Sequence, residues 1–172
     1  MKKKILLVTE RRADYSKLKP ILNLIKNSKK LDYFLVVTGS HLLKEHGNTI
    51  NEIKKDNFVI HKKFHMYERN GKDSGSDMVR SFGRAIIELS KIIEKAKPDI
   101  ILTGFDIGAN FAAAIVGAHM NIHVAHIEGG EVSGTIDDSI RHATTKFAHL
   151  HFTSNTDATN RIIKMGENPK NV

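Results

Sequence analysis

A small set of carboxylates carries the chemical interest of this chain. Glu128 and Glu131 flank the pair Gly129-Gly130, Asp137 follows shortly after, and Asp106 stands upstream in Gly104-Phe105-Asp106. Adjacent glycines let a backbone approach a ligand closely or take positive φ. Carboxyl groups that face one cavity can divide general acid and base work between them when repulsion and burial separate their pKa values. A plainer reading stands beside this one, in which Asp137 or Asp138 caps a helix and Glu131 is solvated. Near the other end of the chain, Arg11-Arg12-Ala13-Asp14-Tyr15-Ser16-Lys17 follows an apolar run. A guanidinium beside a helix N-terminus suits a diphosphate or a carboxylate, and a surface arginine paired with Asp14 is the alternative.

The ten histidines raise the question of a metal. His123 and His126 fall on opposite faces of one strand, and His149 and His151 straddle a helix-to-strand junction, so no ligand pair results and no metal is expected. His126, next to the glycine pair, reads as a hydrogen-bonded core or substrate-binding residue. No G-x-G-x-x-G follows the first strand, and neither G-x-x-x-x-G-K-[ST] nor G-x-S-x-G occurs, which disfavours a simple dinucleotide, P-loop or nucleophile-elbow site. No cofactor is expected.

Apolar runs of strand length alternate with stretches of helical periodicity, the pattern of stacked βαβ units around a parallel sheet, an α/β fold. Strands are expected at 4–9, 33–38, 58–62, 99–103, 123–127 and 150–153. A first helix begins near Tyr15, with Leu18, Ile21, Leu22 and Ile25 on one face and Pro20 close to its first turn. A longer helix follows a Ser76-Asp77 cap and runs to Lys97-Pro98, with Met78, Phe82, Ala85, Ile86, Leu89 and Ile93 as its buried stripe. The segment 108–120 is apolar nearly all round, a buried helix. Ile136, Ile140, Ala143, Thr144 and Phe147 mark another, placing Asp137 and Arg141 one turn apart near its start. Residues 66–75 lack periodicity and read as a mobile surface loop. In an open parallel sheet, ligands bind outside the carboxyl ends of the strands. The segments there, including Glu10-Arg11-Arg12, Gly39-Ser40-His41, Gly104-Phe105-Asp106 and Glu128 to Glu131, bring carboxylates, a guanidinium and imidazoles to one edge.

With 172 residues, 40% of them hydrophobic, and no cysteine, the chain reads as one globular domain without disulfides, at home in a reducing cytoplasm. The apolar run after Met1-Lys2-Lys3-Lys4 is too short for a signal peptide, and no stretch approaches the ~20 residues that span a bilayer. The formal charge of +8 comes from short basic pairs and triplets with little aromatic interleaving, so a solvated surface is expected rather than a nucleic-acid interface.

Three motifs resemble the hydrolysing UDP-N-acetylglucosamine 2-epimerases. They are Arg12-Ala13-Asp14-Tyr15-Ser16-Lys17-Leu18, then Gly39-Ser40-His41-Leu42 with Gly47-Asn48-Thr49, and above all the run from His126-Ile127-Glu128-Gly129-Gly130 to Asp137-Asp138-Ser139-Ile140-Arg141-His142. The likeness is to the branch that makes N-acetylmannosamine for sialic acid biosynthesis and to relatives acting on bacillosamine-type sugar nucleotides. It implies a GT-B-like fold of two Rossmann-like domains, of which residues 1–172 correspond to the N-terminal one, with the nucleotide-binding C-terminal domain outside this sequence. It also implies anti elimination of UDP from C1 with loss of the C2 proton, then addition of water to the resulting 2-acetamidoglucal with inversion at C2. By match to the family pattern, Asp106, Glu128 and Asp137 are catalytic. Arg12 and Ser16 match nucleotide-side positions, and His41, His126, Gly129, Gly130, Ser133 and Arg141 line or support the sugar and phosphate cleft. Phe105-Asp106-Ile107 departs from the family's usual Gly before and Arg after that aspartate, which leaves the identity of the sugar nucleotide open. The expected partners are a UDP-sugar and either a C-terminal domain or further copies of the chain. The isolated chain is expected to be inactive. A non-catalytic binding or assembly module is the alternative.

Overall fold

The computed structural model describes residues 1–68, 74–105 and 108–172. Within them, six parallel strands form one sheet in the order β3-β2-β1-β4-β5-β6. They are β1 (Lys3–Thr9), β2 (Leu31–Val37), β3 (Lys62–Lys63), β4 (Ile100–Gly104), β5 (His123–Ile127) and β6 (Leu150–Phe152). The α-helices are α1 (Arg12–Lys26), α2 (Ile50–Lys55), α3 (Gly75–Ala96), α4 (Gly108–His119), α5 (Ile136–Phe147) and α6 (Thr156–Lys164). The chain winds outward from β1 to β3 and then returns to place β4 on the other side of β1. That reversal opens a crevice at the carboxyl ends of β1 and β4.

The central strands are buried on both faces, which is why they read as continuous apolar runs. Alternation along β1 sends Leu6 and Val8 into a layer with Ala85, Leu89 and Ile93 of α3 and Ala109, Ala112 and Ala113 of α4. Leu7 faces the opposite layer, built from Tyr15, Leu18, Leu22 and Ile25 of α1 with Leu35 and Val37 of β2. The small residues of α4 let it lie close on the sheet. A Cβ at Gly117 would stand 2.8 Å from the side chains of both Ile101 and Val124.

Several elements differ from the sequence reading. Helix α1 starts at Arg12 rather than near Tyr15, because the Asp14 carboxylate accepts the backbone N–H groups of Glu10 (2.9 Å) and Arg11 (3.2 Å) and caps the helix earlier. Pro20 therefore sits inside the helix, not in its first turn. β3 shrinks to Lys62–Lys63, since the preceding segment contacts β2 mainly through His61, whose N–H reaches the Leu35 carbonyl. The cap of α3 is Ser74, whose Oγ accepts the Asp77 N–H, rather than Ser76-Asp77. Helix α2, absent from the sequence reading, buries Ile50 and Ile53. Of the expected loop 66–75, residues 69–73 lie outside the described residues. Its start is packed rather than free: Met66 is core, and the Arg84 Nε donates to the Met66 carbonyl at 2.7 Å. Among the described residues no helix is long and apolar enough to cross a membrane.

Candidate active site

Strand β5 delivers Glu128 to the carboxyl edge. Its backbone N–H donates to the Phe152 carbonyl at 2.9 Å, and its φ of +60° turns the chain into the glycine pair. Lys17, on the second turn of α1, places its Nζ 2.8 and 2.6 Å from the two carboxylate oxygens of Glu128. The same ammonium stands 5.3 Å from the ring centroid of Phe105, the residue after β4. One lysine thus ties α1, β4 and β5 together. Both partners keep solvent access, with 51% of the Lys17 side chain and 31% of the Glu128 side chain exposed. Asp106, next in the chain after Phe105, lies outside the described residues.

The glycine pair is required by close packing. A Cβ at Gly129 would meet the Nδ1 of His126 at 2.8 Å, and one at Gly130, where φ is +82°, would meet the Ala158 carbonyl oxygen at 2.4 Å. The Gly130 carbonyl accepts a hydrogen bond from Arg161 of α6. The Glu128 loop is therefore seated on α6 and on an imidazole, which fixes its path.

Helix α5 separates its two leading aspartates by role. Asp138 accepts the backbone N–H groups of Ser133 (2.7 Å) and Gly134 (2.8 Å), the Ser133 hydroxyl (2.8 Å) and Arg141 (2.9 Å). The Ser133 N–H foremost, with those other donors, holds the Asp138 carboxyl down at about 2. Asp137 has its backbone N–H bound by the Thr135 hydroxyl at 3.2 Å, while its carboxylate meets no donor among the described residues. Capping and turn closure thus fall to Thr135 and Asp138, and the Asp137 carboxylate stays uncommitted.

The two imidazoles expected at the site, His41 and His126, are internal. His41 has no exposed surface; its Nε2 shares a hydrogen bond with Thr9 (2.9 Å) and its Nδ1 with Thr49 (2.6 Å), and Asp14 lies 3.9 Å away. His126 is 1% exposed, with Nδ1 3.3 Å from the Thr145 hydroxyl and Nε2 without a partner among the described residues. Burial first, then the neighbouring His151, Arg141 and His142, push its pKa down to about 3, so the ring is neutral. Arg141, 6% exposed, donates to the Glu131 carbonyl at 2.6 Å as well as to Asp138.

Other sequence-predicted residues are open to solvent. Arg12 is exposed on the first turn of α1, 3.7 Å from Glu52 rather than paired with Asp14. Ser16 is exposed and its hydroxyl donates to the Ala13 carbonyl at 2.7 Å. Beside the glycine pair, a hollow of about 400 Å³ is lined by Glu131, Val132, Asn155, Thr156, Asp157 and Arg161. Neither Glu128 nor Asp137 lines it. Among the described residues no group of three or more histidines and carboxylates is arranged to hold a metal. Sequence reasoning missed Lys17 as a site residue. Its partner is 111 positions away, so only the expectation that α1 and β5 share an edge could have suggested the pair.

Residues 23–172 match the family model described as UDP-N-acetylglucosamine 2-epimerase. The chain is 39% identical over 170 residues to the UDP-N-acetylglucosamine 2-epimerase of Neisseria meningitidis serogroup B, covering 99% of this chain and 44% of that protein. It is 38% identical over 172 residues to the UDP-N,N'-diacetylbacillosamine 2-epimerase (hydrolyzing) of Legionella pneumophila, covering 100% of this chain and 45% of that one. The chain therefore spans less than half the length of these relatives. In structure it resembles the Neisseria meningitidis UDP-GlcNAc 2-epimerase bound to UDP-GlcNAc, with a TM-score of 0.85 at 19% identity over 98% of this chain and 44% of that one. A Methanocaldococcus jannaschii UDP-GlcNAc 2-epimerase in complex with UDP-GlcNAc and UDP gives a TM-score of 0.80 at 23% identity, over 99% and 45%. The six-stranded parallel sheet and its helices thus correspond to about half of those GT-B-like molecules.

Proposed function

Because the chain belongs to the UDP-N-acetylglucosamine 2-epimerase family, we propose that it is the N-terminal half of a hydrolysing sugar-nucleotide 2-epimerase, acting on UDP-N-acetylglucosamine or a related UDP-sugar. The observation that carries this reading is the Lys17-clamped Glu128 at the mouth of β1, β4 and β5, on a loop that glycines press against α6. Two of the relatives that support it are named as hydrolyzing enzymes.

The reaction asks for a base at C2, negative charge near an oxocarbenium-like C1, and an acid for the hydration that follows. Glu128, already bound to an ammonium, is suited to act as the fixed negative charge. Asp137, uncommitted at the start of α5, is suited to proton transfer, with Asp106 as the third carboxylate. Arg12, exposed at the first residue of α1, is the cation available to the diphosphate. His41, His126, Ser133 and Arg141 act through the backbone and side chains that they hold, since each is buried or engaged. No cofactor is invoked. Val132 and Ile136, 55% and 71% exposed, flank the α5 entrance and are part of the surface that a second half covers.

The test is UDP release from UDP-N-acetylglucosamine, measured with this chain alone and with the C-terminal portion of the Neisseria relative supplied in trans. The chain alone should release no UDP, and the pair should yield UDP and N-acetylmannosamine. Robust turnover by the chain alone overturns the need for a second half. A pair that associates yet yields nothing overturns the catalytic reading in favour of a binding module.

A further inference from the structure

Glu10 follows β1 at the point where the sheet reverses its winding, and neither the site nor its proposed chemistry uses it. The residue is 4% exposed. Oε2 accepts the backbone N–H of Ala109, the second residue of α4, at 2.9 Å, and Oε1 accepts the hydroxyl of Tyr67. Its own carbonyl accepts the Ser40 hydroxyl at 3.1 Å and the His41 N–H at 3.3 Å. Room for the side chain depends on Gly39, where φ is +61° and a Cβ would stand 2.2 Å from the Glu10 Cγ. No cation pairs with this carboxylate among the described residues.

A buried carboxylate needs compensation. Here it comes from the positive end of the α4 dipole, from an N–H that has no acceptor within the helix, and from a phenol. Burial, then the adjacent Glu10 charge, push the Tyr67 phenol upward, so it stays a donor. The surroundings are buried: Ala109 is fully buried, and Met66 and Asn110 are each 2% exposed. The Asn110 side-chain amide also donates to the Val8 carbonyl at 3.3 Å, and the Asn110 backbone carbonyl accepts the Thr103 hydroxyl at 2.6 Å.

We propose that Glu10 is an internal ligand of α4: its carboxylate occupies the helix N-terminus that flanks the switch-point crevice, fixes the first turn of that helix, and closes this N-terminus to phosphate-bearing ligands that enter the crevice. Glu10 is a positioning residue in this account. The closure concerns this chain alone and stands whichever substrate the assembled protein takes.

The test follows the Ala109 amide by NMR in the isotopically labelled chain. In the unaltered chain this amide should be protected from hydrogen exchange, unlike an ordinary first-turn N–H, and millimolar inorganic phosphate should not shift it. In Glu10→Ala the protection should fall by at least about tenfold, and added formate should restore it with a saturable shift of the Ala109 resonance. Glu10→Gln keeps an acceptor of the same shape, so it should retain the protection and ignore formate. If Glu10→Ala fails to fold, the unaltered chain and Glu10→Gln still decide the matter. Free exchange of Ala109 in the unaltered chain, a response to phosphate there, loss of protection in Glu10→Gln, or formate without effect on a folded Glu10→Ala overturns the proposal.

Discussion

Replacing Gly130 by alanine tests the seating of the Glu128 loop, and Gly134→Ala supplies the matched control. Both glycines take positive φ, +82° and +78°, so both alanines pay a left-handed strain of about 1 kcal/mol. Both also gain the same unfolded-state benefit from losing glycine flexibility. They differ in space: nothing lies within 4 Å of a Cβ at Gly134, whereas one at Gly130 would sit 2.4 Å from the Ala158 carbonyl oxygen, itself backbone. The loop must move by roughly 1 Å to relieve that contact, which breaks the Arg161 hydrogen bond to the Gly130 carbonyl, a loss of about 1.5–3 kcal/mol for a charged donor. Gly130→Ala should therefore be less stable than Gly134→Ala by about 2–3 kcal/mol in urea denaturation with equal m-values. For a chain of this length that is a gap of about 4–12 °C in Tm. Equal stabilities for the two variants refute the argument that packing against α6 fixes the loop.

Buried imidazoles set an acid limit. His126 is held down at about 3, and burial lowers His61 and His151 too, whereas the unfolded chain protonates histidine near 6.5. The stability is therefore present above the unfolded pKa and is lost as pH falls through 6.5 towards 3. His126 alone accounts for about 2 kcal/mol between pH 7 and 5. Thermal unfolding across that interval should show the loss and His126→Asn should flatten it; a flat profile for the unaltered chain contradicts it. Lys17→Met should change stability by less than about 1 kcal/mol, because the pair with Glu128 is partly exposed, yet should lower turnover of the complemented enzyme at least tenfold. Unchanged turnover would remove Lys17 from the site. Asp138→Ala should lower the urea midpoint of the domain by releasing the Ser133-Gly134 turn, whereas Asp137→Ala, whose carboxylate holds no turn, should leave the midpoint unchanged.

The strand and helix alternation was legible because the central strands are buried on both faces and the helices carry long apolar stripes. β5 has the expected bounds, and α4 and α5 lie where periodicity puts them. What failed was set by contacts distant in sequence or by single side chains. The early start of α1 depends on one carboxylate, Asp14, reaching back to Glu10, and α2 is too short for its two buried isoleucines to form a periodic signal. The candidate site was legible only as an edge, since strand-end residues gather there in any parallel sheet. Its internal division of labour was not. Which of Asp137 and Asp138 is spent on capping needed the turn at Ser133-Gly134, and neither the Lys17 clamp nor the burial of Glu10 under α4 leaves a local trace.

The proposed function requires a sugar to sit at the carboxyl ends of β4 and β5, facing Glu128 and the start of α5. Titrating the labelled chain with 2-acetamidoglucal and following the backbone amides tests it most directly. Saturable shifts are expected at Glu128, Gly129, Gly130 and Asp137, with Lys17 responding alongside. Saturable binding that leaves those amides unmoved, and instead shifts residues at the opposite ends of the strands such as Lys3, Asp99 and His123, contradicts it.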